Sequence, residues 1–275
     1  MRLSARTQAL LVSLVLLAAC LTAWEAATRT PGVVRGGDPE YAALLAPPKS
    51  SLPRPTDVAG AAWAQLKDPL RNGGMNDRGI AIQLAWSLGR VLLGFLLAAL
   101  LAVPLGFFLG MSPVVQRALN PYVQLLKPIS PLAWMPLALY TIKDSSISSV
   151  FVISICSVWP MLLNTAHGVA SVRRDWLNVA RTLEVEPLRK AFRVILPAAA
   201  PTILTGMRIS MGIAWLVIVA AEMLVGGTGI GYFVWNEWNN LNLANVIFAI
   251  LTIGVVGMAL DLAIGRLQKL VTYVD

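Results

Sequence analysis

Side chains do chemistry only where they can ligate, attack or exchange a proton, and this chain holds few that can. Two cysteines, Cys20 and Cys156, and one histidine, His167, are too few for a metal cluster or a disulfide framework. Both cysteines fall in apolar runs, where thiols serve as small hydrophobes. No nucleophile–base pair and no carboxylate dyad can be read, so no catalytic residues are expected. The polar residues inside apolar runs stand out instead, because charge there is costly and marks function by default. Glu222 is expected at the external end of its helix, where a carboxylate repels anions unless paired, so a structural or gating role is favoured. Arg208, about two turns into the same helix, could attract an anion, but bonding to a cytoplasmic segment or lipid phosphate is favoured. Asn164 and His167, three apart, share a helix face that could line a pore, although interhelical hydrogen bonding is the commoner use. Lys127, beside Pro128 and Pro131, is expected to anchor a broken helix end, and Asp261 and Arg266 are read as interfacial. Gly226–Gly231 is glycine-rich, but no Gly-Lys-Ser/Thr follows, so no phosphate-cradling loop is expected. Those glycines read as a turn into an external, Trp-rich interfacial segment.

The elements that must carry these residues follow from composition. The chain is 57% hydrophobic and 13% charged, with a mean hydropathy of +0.69. A soluble domain averages about 45–50% apolar and about 25% charged residues. Too little charge remains to cover a water-exposed surface, so the chain is an integral membrane protein, and disorder is excluded. The net charge of +8 marks a cytoplasmic face, and no basic stripe with interleaved aromatics suggests nucleic acid. Uncharged runs at Thr7–Trp24, Val91–Gln116, Ser145–Val172 and Trp238–Leu260 meet or approach the ~20 residues that cross a bilayer. Ala118–Ile142 and Val194–Ala221 join them if Lys127 and Arg208 snorkel. Six spanning helices and an all-α fold are expected.

Leu17-Ala18-Ala19-Cys20 matches a lipoprotein cleavage box, but the apolar run continues to Trp24 and further spans follow, so the first run is kept as a true helix. Basic residues at Arg2, Arg6, Arg117, Arg266 and Lys269, and a cluster from Arg173 to Arg193, alternate with the Lys- and Arg-free loop Glu222–Asn242. That pattern places both termini in the cytoplasm and the long Pro- and Gly-rich loop, about Ala27–Arg90, outside. A short surface helix fits Asp57–Leu66.

The stretch Ser171–Pro197 is too polar to span and too regular for a linker. Val179, Leu183, Leu188 and Phe192 recur at helical spacing among basic residues, and Pro187 divides it into two short helices ended by Leu196-Pro197. It is either an amphipathic loop on anionic lipid or an element that docks into another protein.

Asn178-Val179-Ala180-Arg181-Thr182-Leu183-Glu184, followed by Val194-Ile195-Leu196-Pro197, resembles the Glu-Ala-Ala…Gly…Ile-x-Leu-Pro loop of ATP-binding-cassette importer permeases. Asn178 stands where that pattern has Glu, and Glu184 where it has Gly. Leu52–Val58 and Ser87–Phe95 are similar to sulfonate, taurine and nitrate-type permeases. Asn72-Gly73-Gly74, Ile155–Thr165 and Ala221–Asn240 look more like the nitrate/bicarbonate (and cyanate) branch, with nitrate first.

The resemblance implies a type I importer permease without its own ATPase, in a bacterial inner membrane. It divides the chain into a first helix at 1–28, a periplasmic loop at 29–82, a permease domain at 83–268 with a coupling loop at 171–197, and a tail at 269–275. It implies that Asn178, Val179, Ala180, Leu183, Glu184, Leu188, Leu196 and Pro197 meet an ATPase subunit. It further implies a second permease copy, two ATPase subunits carrying ATP and Mg, and a periplasmic binding protein. An ion-gradient transporter using Glu222, Asp261 and His167 as a proton relay is the rival from another class. A membrane-embedded enzyme lacks catalytic clusters.

Overall fold

A computed structural model of the chain describes residues 4–28, 52–74 and 77–271. Among the described residues the chain is helical apart from turns and one isolated bridge between Asn72 and Arg78. Helix α1, Ala5–Thr28, is exposed along Thr7–Ala23, and only its end, at Trp24, packs on the main core. Cys20 is exposed within it. Helix α2, Pro55–Lys67, starts with Pro55 in its first turn and closes that turn through the Asp57 carboxylate, which accepts the Arg54 N–H at 3.1 Å. It is the short helix expected at Asp57–Leu66. Most of the loop expected ahead of it lies outside the described residues.

Helix α3, Ile80–Met111, begins before the expected Val91 and stops before Gln116. The run Ala118–Ile142 departs furthest from expectation, because it is not one span but two short helices. These are α4, Pro113–Leu126, and α5, Pro131–Ile142. Pro128 and Pro131 each remove a backbone donor, and the proline ring disfavours helical geometry at Ser130, which is extended (φ −59°, ψ 135°). Lys127 caps the broken end of α4, as expected. Helix α6 follows at Ser145–Ala170 and α7 at Arg174–Thr182.

The chain then runs without a break from α8, Pro187–Lys190, through a π-helical turn, Ala191–Ile195, into α9, Leu196–Val225. Contrary to the sequence reading, the second short helix therefore does not stop at Leu196-Pro197 but continues into α9. Pro197 has no N–H to give the carbonyl four residues back, and the π turn accommodates it, with Leu196 N–H bonding Ala191 C=O five residues back. Helix α10, Ile230–Asn239, takes Trp238 out of the last span, which is α11, Leu243–Val271. Among the described residues five helices are long and apolar enough to cross a membrane, α1, α3, α6, the α8–α9 rod and α11, and α5 is a shorter apolar one.

The core is a three-helix contact of α3, α6 and α9. On α3, Gly94, Ala98, Ala102, Gly106 and Gly110 recur every fourth residue and form one stripe of small side chains. A Cβ at Gly94, Gly106 or Gly110 would strike α6 at Ile153, Thr165 or Val169, so the two backbones approach as closely as the small-residue pattern of membrane helices permits. Gly168 and Gly206 do the same between α6 and α9, against Thr202 and Asn164. Val91, Ile153, Met161, Ala214 and Ile218 fill the middle. A second cluster, Val169, Val172, Ile195, Ala199 and Ile203, with Phe107 and Leu177, fixes the α7–α8 segment to the base of the bundle.

Candidate functional site

Helix α7 is strongly two-sided: Ala180 is buried, while Val179 and Leu183 face outward. The turn after it is built on Glu184, whose φ of 51° is left-handed. Val185 N–H donates to Ala180 C=O and Glu184 N–H to Arg181 C=O, both at 3.0 Å. This is the helix-ending pattern that glycine ordinarily supplies, which explains why the resembling permeases carry Gly at this place. Leu183 is 70% exposed and Leu188 74%, with Phe192 exposed one turn further on. The expected coupling residues Asn178, Val179, Leu183, Glu184 and Leu188 are each exposed. Ala180 is buried beneath them, and Leu196 is half-buried against the second cluster. Pro197, although exposed, belongs to the start of α9. A surface with exposed leucines and Phe192 above a packed base can fill an apolar cleft of a partner.

At the other end of α9 a buried ionic network closes the bundle. Glu222 is 1% exposed. Its carboxylate accepts the Ser87 hydroxyl at 2.8 and 2.9 Å, the Arg90 guanidinium at 2.8 Å and the Gly231 N–H at 3.0 Å. Arg90 also reaches Thr228 C=O at 2.5 Å and the Ser146 hydroxyl at 3.0 Å, and its guanidinium lies over the Trp86 ring. Gln83 Oε1 accepts Gly229 N–H at 2.6 Å, and Arg78 bonds the Thr228 hydroxyl. The glycine turn is part of the lock. Gly229 has φ 152°, and a Cβ there would collide with the Glu222 carboxylate, so glycine is required at this position. Three groups, through four hydrogen bonds, thus satisfy one buried charge and tie α3 to the end of α9 and the start of α10.

The other candidates do not converge on Glu222. Asn164 is half-buried under Gly206, and its amide donates to Pro160 C=O at 2.8 Å, while His167 is exposed three residues on. Arg208 does not bond the cytoplasmic segment: it makes a two-pronged pair with Asp261 at 2.6 and 2.5 Å. Asp261 is therefore a partner of α9 rather than a free interfacial charge. Glu222, Asp261 and His167 make no bonds with one another among the described residues, so the geometry offers the proton relay no continuity. Sequence reasoning missed Arg90, Ser87 and Gln83. The signal was present, because an arginine at the head of an apolar helix demands a carboxylate, and Glu222 was the intramembrane carboxylate without a partner. The described residues hold no group of three or more metal-ligating side chains.

Residues 102–273 match the family of binding-protein-dependent transport system inner membrane components. The chain is similar to the nitrate import permease protein NrtB of Leptolyngbya laminosa, 41% identical over 81% of this chain and 80% of the relative. It is also similar to the bicarbonate transport system permease protein CmpB of a Synechocystis strain, 40% identical over 82% of this chain and 79% of the relative. The fold matches a chain of the inward-facing MetNI methionine ABC transporter with a TM-score of 0.63, covering 70% of this chain and 96% of that one at 14% identity.

Proposed function

The chain belongs to the family of binding-protein-dependent transport system inner membrane components, and from that premise we propose that it is the permease subunit of an ATP-driven importer of a small inorganic anion, nitrate first. The observation that carries the substrate is the 41% identity to a nitrate import permease across four fifths of both chains. In this reading two copies enclose the pathway, and a periplasmic protein delivers the anion. Two ATPase subunits, which hold ATP and Mg, seat on the exposed surface from Asn178 to Leu188. Both termini lie in the cytoplasm, supported by the alternation of basic loops with the Lys- and Arg-free segment after Glu222. The exposed Leu183 and Leu188 over a packed base support docking rather than a solvated loop.

Bicarbonate is the second reading, favoured by the 40% identity to a bicarbonate permease. The test is uptake in cells stripped of their own nitrate and bicarbonate importers and given this chain with its ATPases and binding protein. ATPase-dependent nitrate accumulation is the expected result. Bicarbonate accumulation instead selects the second reading, and uptake without the ATPases, driven by a proton gradient, overturns both.

A further inference from the structure

The break between α4 and α5 does more than shorten a span. It opens a cavity of about 250 Å³ lined by Lys127, Ser130, Trp134, Cys156, Trp159 and Ile213, among others. Cys156 and Trp159 lie near the middle of α6, Ser145–Ala170, and Ile213 near the middle of α9, Leu196–Val225. The cavity is therefore close to mid-depth in the bundle, several helical turns from either end. Lys127 is exposed there and takes part in none of the four ion pairs among the described residues.

An ammonium at that depth is costly in hydrocarbon and tolerable in a water-filled conduit. The donors around it are also unused among the described residues: the Ser130 side chain does not cap α5, and the Trp134 and Trp159 indole N–H groups bond no other described residue. Among the described residues no carboxylate lines the cavity to compete with a ligand. Several water volumes of about 30 Å³ each fit, enough for a small polyatomic anion and part of its hydration shell.

We propose that this cavity is an anion-binding station within the translocation pathway, with Lys127 as its charged contact and a small monovalent oxyanion as its ligand. The inference rests on the reading of the chain as an anion permease. One cation, weak neutral donors and aromatic walls suit a pathway, which must hold its cargo loosely enough to release it. By contrast, Arg90 and Arg208 are each spent on a carboxylate.

Cys156 provides the test, in membranes holding the assembled complex and in a Cys20→Ser background that leaves one thiol in this chain. The probes are nitrate and bicarbonate, against a bulky organic anion at equal ionic strength, and the readout is the rate at which a small hydrophilic methanethiosulfonate labels Cys156. Nitrate is expected to slow labelling. Lys127→Gln is expected to remove that shielding and lower uptake by about tenfold, the scale of one charge-assisted contact, and Lys127→Arg to keep both. Shielding by bicarbonate alone keeps the station and changes its cargo, while failure of wild-type uptake of both anions counts against the permease reading rather than the station. A Cys156 inert to the reagent, labelling indifferent to both small anions, or shielding that survives Lys127→Gln would overturn the proposal.

Discussion

Glu222 shows how one residue reads differently once its neighbours are known. From sequence it is an intramembrane carboxylate at a helix end; in the structure Arg90, Ser87 and the Gly231 N–H surround it. Removing its charge leaves the Arg90 guanidinium, itself only 11% exposed, without its counter-ion. Glu222→Gln is expected to cost about 3–5 kcal/mol of stability, read as earlier thermal unfolding in detergent. The paired Arg90→Met and Glu222→Met variant should recover part of that loss, because neither charge is then stranded. Equal losses in the single and paired variants would mean that the ion pair is not what holds the turn. Glu184 carries the opposite sign. Its left-handed backbone is strained for any residue with a Cβ, so Glu184→Gly should stabilise the chain by about 1 kcal/mol, measured the same way. The identity of that position was legible as a departure from the family pattern. Its conformation was not, because a backbone angle is set by the hydrogen bonds that close the turn.

Elements were legible where hydropathy alone decides them and were misread where packing or proline chemistry decides. The long apolar runs became α3, α6, α9 and α11, with shifted ends, since hydropathy does not register where a capping bond falls. The run Ala118–Ile142 was apolar enough for one span, and Pro128 and Pro131 divided it. The stripe from Gly94 to Gly110 escaped notice because small residues count as apolar, whereas their use is to let α6 approach. Gly106→Leu should therefore wedge α3 from α6, cost about 1–3 kcal/mol and shorten survival in limited proteolysis. The same change at Gly60, which faces open space, should do little. The α7–α8 segment makes a functional prediction. Leu183→Asp should abolish substrate-stimulated ATP hydrolysis of the assembled complex, because docking would bury an unpaired charge, while abundance in the membrane stays unchanged. Hydrolysis at the normal rate would reduce the segment to a lipid-facing loop.

At the scale of the molecule, apolar surface is spent outward as well as inward. Leu92, Leu96, Leu100 and Phe108 on α3 and nearly all of α1 are exposed, as a chain surrounded by lipid requires. This much was legible, since composition alone excluded a soluble fold. The Arg90–Glu222 and Arg208–Asp261 pairs and the mid-depth cavity were not, because each joins residues far apart in sequence. The purified chain in liposomes is expected neither to hydrolyse ATP nor to accumulate nitrate, and adding both ATPases and the binding protein should restore the two together. The π turn sits near one end of a long helical run. Because Pro187–Val225 is a single helical rod of 39 residues, it reaches about 58 Å if it is taken as uniform helix. Its near end bears Leu188 and its far end bears Glu222. A lever that long, stiffened by its own backbone bonds, would carry a tilt imposed at its Leu188 end to the locked turn at the other. The one turn of wider winding at Ala191–Ile195 is where the lever can give by a fraction of a residue. A stroke applied at the Leu188 end would therefore reach Glu222 along one continuous backbone, less what that turn absorbs, needing no relay of side chains between them.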